Sequence, residues 1–142
     1  MIIESDDVSI GVLLKSRYLL IPRFQRPYSW ERDHVTDFWN DAVIDNTEDN
    51  YFIGSMVSFK HSRYHYGIVD GQQRLTTAMI LLCIIRDRLT EYGFTDEAEG
   101  LHTNFIERKN IDNKNEYILK TETSFPYFQG QILSSQKVEV IE

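Results

Sequence analysis

Five consecutive residues of types that bind phosphate, Asp70-Gly71-Gln72-Gln73-Arg74, join an apolar segment to a long stretch with helical periodicity. The N–H groups in the first turn of a helix have no internal acceptor, and the helix macrodipole adds about half a positive charge there. Gly71 lets a ligand approach the backbone without a Cβ in the way, and Arg74 can direct a planar guanidinium at the same oxygens. The run therefore predicts an anion-binding turn, and specifically a phosphate site.

Further side chains beside this turn extend the predicted site. Gln72 and Gln73 are amides at the mouth of an otherwise apolar helix, where they could read a base, a sugar or a phosphate. Asp70, at the carboxyl end of a strand, is placed to orient a free or metal-bound water. We predict Asp70 and Arg74 as catalytic residues, and the predicted binding residues here are Gly71, Gln72, Gln73, Arg74, Thr76 and Thr77. The alternative is a simple turn whose arginine pairs with a carboxylate at the edge of the core.

A second group of candidate residues lies in the loop after the first predicted strand, where arginine and glutamine alternate with aromatic residues. Such interleaving suits phosphate contacts combined with base stacking. Gln25, Arg26 and Tyr28 are predicted to face the nucleotide from this loop, whereas Phe24 and Trp30 are predicted to be structural. The alternative is a proline-framed loop whose aromatic rings pack on the sheet.

The element that must position the turn is a helix predicted over residues 72–92. Apolar residues recur there at spacings of four, three, three and four, which is the pattern of a buried helical face. These residues are Leu75, Met79, Leu82, Ile85 and Leu89. Ala78 and Leu81 widen the face, so the helix is predicted to be buried on most sides. Cys83 lies within it and is predicted to be a buried small hydrophobe rather than a catalytic thiol.

Strands are predicted on the N-terminal side of this helix. Tyr18–Ile21 is rich in β-forming residues and is stopped by Pro22, because the ring removes a donor from the ladder. Residues 51–59 and 64–69 are joined by a polar connection, and the pair predicts an antiparallel hairpin. The second strand of this hairpin leads directly into the turn.

Three further helices are predicted from capping residues and apolar spacing. A short helical segment starts near Ser9, and another helix starts near Thr95. Between them, Ser29 is predicted to cap a helix whose apolar stripe is Val35, Phe38, Trp39, Ala42 and Val43. A polar turn at residues 110–115 and a late strand at residues 117–119 follow.

These elements together predict an α+β fold with a small mixed sheet, a β-hairpin and a long buried helix after the turn. At 142 residues the chain fits one domain, with a core at about residues 8–92 and a helical C-terminal extension over 93–142. The character of its ending predicts that the domain is the N-terminal part of a longer protein.

Fifteen basic and 22 acidic residues give the chain a formal net charge of -7. A domain that grips DNA through its overall field should be basic, so any DNA contact must be local or made by a partner. The local patch would consist of Arg17, Arg23, Arg26, Arg63 and Arg74. The acidic balance, with no signal peptide and no stretch long enough to span a bilayer, predicts a cytoplasmic protein without membrane contact.

The histidine and cysteine content argues against a metal site. His61 and His65 flank the predicted hairpin turn without acidic or cysteine partners nearby, so they are predicted to be exposed loop residues. His34 and His102 have polar helical neighbours and are predicted to be ordinary. No metal-binding residue is predicted, and the chain contains no Walker A pattern and no histidine-rich nuclease motif.

Three segments in this order resemble the N-terminal domain of GmrSD-type restriction enzymes, a family marked by a DGQQR motif. They are residues 21–30, 52–55 and 69–77. The resemblance covers about residues 8–92 and implies a nucleotide-binding fold like that of ParB and sulfiredoxin. It also implies that residues 70–74 form the nucleotide site, with Gln25 and Arg26 facing it from the other loop.

The resemblance implies a regulatory domain of a prokaryotic modification-dependent restriction or anti-phage defence system. Such domains bind, and often hydrolyse, a nucleoside triphosphate, which is therefore the expected cofactor. Family members often carry a C-terminal HNH-type nuclease domain, whose motif is absent from this chain. DNA is thus expected to be reached through a partner or such a further domain, and nuclease activity is not expected from these residues. Hydrolysis of the triphosphate, a requirement for Mg²⁺ and homo-oligomerisation are possible under this interpretation. The alternative to a triphosphate-binding regulatory domain is a ParB-like DNA-binding or DNA-sensing module without triphosphate turnover.

Overall fold

The computed structural model describes residues 9–22, 28–44, 56–122 and 128–135, and within these ranges the fold is α+β, as predicted. The helices are α1 (Ile10–Ser16), α2 (Arg32–Trp39), α3 (Gln72–Glu91) and α4 (Thr95–Phe105). The strands are β1 (Tyr18–Ile21), β2 (Val57–Lys60), β3 (His65–Asp70), β4 (Glu107–Lys109), β5 (Asn115–Tyr117) and β6 (Leu119–Thr121). Short π-helical segments, Asn40–Ile44 and Phe128–Leu133, follow α2 and β6.

Strand β1 lies in the middle of a mixed four-stranded sheet with the order β2-β3-β1-β6. It pairs in parallel with β3 and β6, while β2 pairs antiparallel with β3 and confirms the predicted hairpin. Parallel strands end at the same edge of a sheet, so the chain leaves β1 and β3 side by side. Pro22 and Gly71 follow these two strands, and the sheet thereby brings together the two segments that hold the candidate residues.

The core lies between the sheet and one face of α3. Leu75 and Met79 are fully buried there, as predicted, and Cys83 is 2% exposed. They pack with apolar residues from α1, the sheet and the C-terminal extension, which include Leu14, Leu19, Ile68, Ile106, Ile118 and Leu133. The predicted late strand is observed as two strands, β5 and β6, separated by the buried Ile118. The C-terminal extension therefore supplies a strand of the sheet as well as helix α4.

The prediction that α3 is buried on most sides holds for residues 72–83, where no residue is exposed, but not for the last turns of the helix. Ile84 is 51% exposed and Ile85 is 40% exposed, so the helix has one buried face and one open face. The buried stripe continues from Cys83 to Arg86 rather than to Ile85. A stripe with spacings of four and three can follow either of two neighbouring faces, and the sequence pattern identified the wrong one beyond Met79.

Arg86 is 2% exposed and is the largest fully buried side chain of the described residues. Its guanidinium donates to the carboxylate of Asp87, to Nδ1 of His102 and to the backbone carbonyls of residues 132–134. His102 in turn bonds Glu107 through Nε2 at 3.0 Å, so this histidine helps to fix the Arg86 side chain. Arg86 thereby holds the C-terminal segment against α3.

The start of α2 also differs from the prediction. Glu31, not Ser29, is its N-cap, and the His34 side chain completes a capping box by accepting from the Glu31 N–H at 3.1 Å. Ser29 lies two residues earlier and is tied to α3 through its own N–H. The apolar residues of α2 are not core either, since Val35 is 39% exposed and Trp39 is 42% exposed.

A side-chain cap explains the start of α1 but not that of α4. The Ser9 hydroxyl accepts from the N–H of Val12 at 3.1 Å, and α1 begins as predicted. Thr95 is the first helical residue of α4, while Phe94 occupies the cap position without a side-chain bond. The predicted polar turn at 110–115 is confirmed as the connection between β4 and β5.

Candidate functional site

Gly71 occupies the junction between β3 and α3 in a left-handed conformation, with φ 91° and ψ 8°. An L side chain is disfavoured there, and an added Cβ would lie 2.5 Å from Cγ of Met56. The position therefore requires glycine for two independent reasons. The Leu75 N–H donates to the Gly71 carbonyl at 3.1 Å, so the helix begins immediately after the turn.

The first turn of α3 presents Gln72, Gln73 and Arg74, all of them half-buried. These residues occupy the turn in which a helix supplies no internal acceptor for its N–H groups. Asp70 is the last residue of β3 and is exposed beside them. The structure therefore gathers all five residues of the predicted turn at one edge of the sheet.

A segment before α2 crosses the first turns of α3. The Ser29 N–H donates to Oε1 of Gln73 at 2.9 Å, and the Tyr28 hydroxyl lies 2.8 Å from Oγ1 of Thr77. Tyr28 was predicted to approach the helix from the second loop, and its hydroxyl does contact α3. The predicted partners Gln25 and Arg26 lie outside the described residues.

Thr76 and Thr77 are almost fully buried, at 4% and 6% exposure. Their hydroxyls donate to the backbone carbonyls of Gln72 and Gln73 at 2.7 and 2.8 Å. Because the Thr77 proton is used in this way, Tyr28 is the donor in the bond between the two hydroxyls. Thr77 therefore positions Tyr28, and its role as a nucleotide ligand stays a prediction, as does that of Thr76.

An open apolar groove of about 650 Å³ runs along α3 beyond Tyr28 and was not predicted. Its α3 side extends from Thr77 to Leu89, which is about 18 Å of helix. Aromatic and aliphatic side chains from α2 and α3 line it, among them Val35, Phe38, Trp39, Ile80, Ile84 and Ile85. Of these, Val35, Phe38, Trp39 and Ile85 belong to the apolar stripes that the sequence predicted, whereas Ile80 and Ile84 do not, and the incomplete burial of the set opens the groove.

The three described arginines of the predicted DNA patch do not all lie at the turn. Arg17 directly precedes β1, and its guanidinium lies 4.5 Å from the ring centre of Tyr66. Arg63 precedes β3, whereas Arg74 follows it. Arg17 and Arg63 are therefore at the opposite end of the sheet from the turn, and Arg23 and Arg26 lie outside the described residues.

The prediction that His65 is a loop residue is wrong. It is the first residue of β3, where it stacks on Tyr18 with ring centres 5.0 Å apart. Its Nε2 bonds the carboxylate of Glu116 at 2.9 Å. Burial would raise the pKa of Glu116, but hydrogen bonds from Lys120, Asn110 and His65 outweigh it and hold that pKa below its usual range. No group of three metal-binding side chains occurs in the part of the chain that the structure describes.

A mixed sheet, a left-handed glycine turn and a long helix with an arginine in its first turn define an α+β domain built around a candidate phosphate site. The sequence profile of the GmrSD restriction endonuclease N-terminal domain matches residues 10–141, so the chain belongs to this family. It is accordingly a component of a restriction or defence system. No curated protein matches the chain. Among the described helices, none has the length and apolar character to cross a membrane.

Proposed function

We propose that the Gly71 turn binds a nucleoside triphosphate and that the domain uses this ligand to regulate its restriction system. The observation that carries the proposal is the left-handed Gly71, which opens the 20-residue helix α3 with Arg74 in its first turn. A helix start of this kind combines outward N–H groups with the positive end of the macrodipole.

Recognition of the phosphates rests on backbone and guanidinium together. The N–H groups of Gln72 and Gln73 donate to phosphate oxygens, and the absence of a Cβ on Gly71 allows the ligand to come close. Arg74 adds a planar donor pair, which suits a phosphate better than a single ammonium would. Its half-buried position limits solvent competition at that contact.

Tyr28 supports the nucleoside part of the same proposal. Its ring lines the near end of the apolar groove, while its hydroxyl is held by Thr77 at 2.8 Å. A fixed aromatic ring next to a phosphate site suits a stacked base, because stacking needs only the face of the ring. The Ser29 to Gln73 bond keeps this wall against α3.

Hydrolysis is the further step of the proposal, with Asp70 and Arg74 as its catalytic residues. The exposed Asp70 would orient the attacking water, and Arg74 would stabilise the charge that develops on the phosphate. A single carboxylate next to triphosphate oxygens also fits Mg²⁺, which is commonly held by one or two carboxylates together with substrate phosphates. Control of a nuclease in a partner or further domain completes the proposed role.

The alternative, in which the turn itself grips DNA, has less support. Salt-dependent DNA binding requires several cations near one another. Arg17 and Arg63, which the sequence grouped with Arg74, lie at the far end of β1 and β3. A turn with one described arginine suits a compact triphosphate better than an extended backbone.

A thermal-shift panel with all four nucleoside triphosphates and Mg²⁺ tests the proposal. A ligand that binds only the folded state stabilises it by about 2.7 kcal/mol at 100 times its dissociation constant. We expect at least one triphosphate to raise Tm, and Arg74→Ala to remove most of this rise. Phosphate release in the same samples separates a hydrolase from a sensor that only binds.

Arg88→Ala is the matched control, because it removes an arginine from the last turn of the same helix. The Arg88 side chain is 66% exposed, pairs with the nearby Glu91 at 3.1 Å and lines the groove three helical turns beyond Thr77. It should leave the ligand-induced rise unchanged. If no triphosphate shifts Tm with or without Mg²⁺, or if both variants lose the shift equally, the proposal fails.

A further inference from the structure

The end of the sheet farthest from the Gly71 turn carries a cluster of basic side chains. We call it the cationic end, and it consists of Lys15, Arg17, Lys60, Arg63, Arg108 and Lys120. The chain has 15 lysines and arginines in all and a net charge of -7, so this clustering is local and runs against the overall balance. One acidic side chain next to it, Glu116, is already bonded to Lys120, His65 and Asn110.

Tertiary contacts and strand pairing bring three of these cations to the amino ends of β1 and β3. Arg108 reaches from β4 to donate to the backbone carbonyls of Leu14 and Arg17, and its guanidinium lies 4.6 Å from the ring centre of Tyr18. Arg17 lies over Tyr66, which is the partner of Lys60 across the hairpin. Arg17, Lys60 and Arg108 therefore come from distant parts of the sequence and lie near the amino ends of β1 and β3.

The tip of the β2–β3 hairpin extends this surface. Lys60, His61 and Arg63 are all exposed, and Tyr64 is 42% exposed with the Arg63 guanidinium 5.3 Å from its ring centre. Strand β2 is at the edge of the sheet, so the hairpin is accessible along one side. Arginine next to an exposed aromatic ring offers both a phosphate contact and a stacking face.

We propose that the cationic end binds the phosphodiester backbone of a nucleic-acid duplex, with the β2–β3 hairpin as the part that approaches a groove. A two-stranded β-ribbon fits the major groove of B-form DNA. The planar guanidiniums of Arg17 and Arg63 suit phosphate oxygens, and Lys60 adds a point charge beside them. The site is distinct from the Gly71 turn, since six residues of β3 separate the two by about 20 Å.

Fluorescence anisotropy of the full chain with a labelled 20-base-pair DNA duplex tests this proposal, with an RNA duplex of the same sequence as the second arm. The variant pairs are Lys60→Ala with Arg63→Ala at the hairpin, and Arg32→Ala with Arg88→Ala as the matched control. Arg32 and Arg88 are exposed cations on α2 and α3, so both pairs remove the same charge. All four side chains are exposed, and an unchanged Tm for each pair verifies the fold.

We expect the affinity for duplex to fall linearly with the logarithm of salt concentration. The hairpin pair should weaken binding about tenfold or more and lower the salt slope by about one for each lost contact. The control pair should bind like the unchanged chain. Tighter binding to the DNA duplex than to the RNA duplex would indicate that the hairpin enters an accessible major groove. Equal binding to both duplexes would indicate that the cationic end contacts only the phosphodiester backbone.

Several results would overturn the proposal. One is equal weakening by both pairs, which would reduce the effect to net charge. Another is loss of duplex binding in Arg74→Ala with retention in the hairpin pair, which would move the contact to the turn. Absence of duplex binding at low salt also overturns it, as does preferential binding to anionic phospholipid vesicles over either duplex.

Discussion

The two ends of strand β3 differ in the way they present positive charge. At the carboxyl end, Gly71 and the first turn of α3 provide backbone N–H groups and the single described arginine Arg74. At the amino end, the charge is carried by side chains, with Arg63 before the strand and Arg17 beside it. Backbone donors in a narrow turn suit a small, compact anion, whereas long cationic side chains spread over a surface suit an extended one. Neither of these two positive regions is evident from the net charge of -7 for the whole chain.

The two ends also differ in how far apart their residues lie in the sequence. The turn is contiguous in sequence, so its five residues are placed by local geometry alone. The cationic end is assembled by contacts such as that of Arg108 with the Arg17 carbonyl, 91 residues apart in the chain. Local motifs can be identified from a sequence, and surfaces of the second kind need the fold.

The largest expected effect is at Arg86 of α3, which contacts neither end of β3 in its described hydrogen bonds. Arg86→Ala removes a buried guanidinium and leaves the carbonyls of residues 132–134 without their donor. The free energy of unfolding should fall by about 3–5 kcal/mol in urea titrations. Arg88→Ala, two residues along the same helix, should change it by less than about 0.5 kcal/mol. A small effect of Arg86→Ala would mean that the C-terminal segment is held by other contacts.

The next largest effect is expected at the turn itself. Gly71→Ala combines an unfavourable positive φ with a contact of 2.5 Å to Met56 Cγ, and should cost about 2–3 kcal/mol of unfolding free energy. Gly93→Ala is the matched control, because Gly93 has φ 87° but no atom within 4 Å of the added Cβ. It should cost only about 1 kcal/mol. Equal costs for the two variants would show that the contact with Met56 relaxes freely.

Tyr28→Phe tests whether the crossing segment belongs to the carboxyl-end site. It removes the hydroxyl that bonds Thr77 and keeps the ring, so stability should fall by about 1 kcal/mol. Triphosphate affinity, measured by calorimetry, should weaken severalfold because the ring loses its tether. Thr77→Val should act alike, and the double variant should be no worse than either single variant. Additive losses would show that the two hydroxyls act independently.

The smallest expected effect is the pH dependence at the cationic end. The pKa of Glu116 is held below its usual range in the folded chain, so this carboxylate stabilises the fold at neutral pH. That contribution is present above the ordinary carboxyl pKa of about 4.3 and is lost as pH falls through the lower folded value. Glu116→Gln should therefore reduce stability slightly at pH 7 and flatten its decline between about pH 5 and pH 3. A steeper acid decline in Glu116→Gln would reverse the assigned sign.

The sequence predicted the strands, the hairpin and α3 well, because each has a local signal in periodicity, capping or turn residues. Ser9 and Pro22 mark the limits of their elements as expected. At α2 the sequence predicted an apolar stripe but not whether another element covers it, and Trp39 is 42% exposed. Periodicity shows that a face is apolar, and only tertiary packing decides whether another element covers it.

In the candidate site, too, the features with a local signal were predicted and those that depend on tertiary contacts were not. Its turn was identified from five adjacent residues, and contact with the second loop was expected and is made by Tyr28 and Ser29. The sequence analysis treated the Thr76 and Thr77 hydroxyls as ligand contacts. In the structure each donates to the carbonyl four residues back in the helix, a bond that a threonine in a helix can always make and that the sequence does not reveal. Arg86 carries no sequence signal at all, since buried and exposed arginines look alike until the acceptors are known.

The central claim is that two phosphate ligands bind at opposite ends of β3, and a competition experiment tests it most directly. A labelled DNA duplex is bound to the chain at low salt, and Mg²⁺ with the tightest-binding nucleoside triphosphate is added to saturation at constant ionic strength. The account predicts that the anisotropy of the duplex stays high while the triphosphate still raises Tm, because both ligands bind together. Displacement of the duplex in proportion to occupancy by the triphosphate would contradict it and place both ligands at one site.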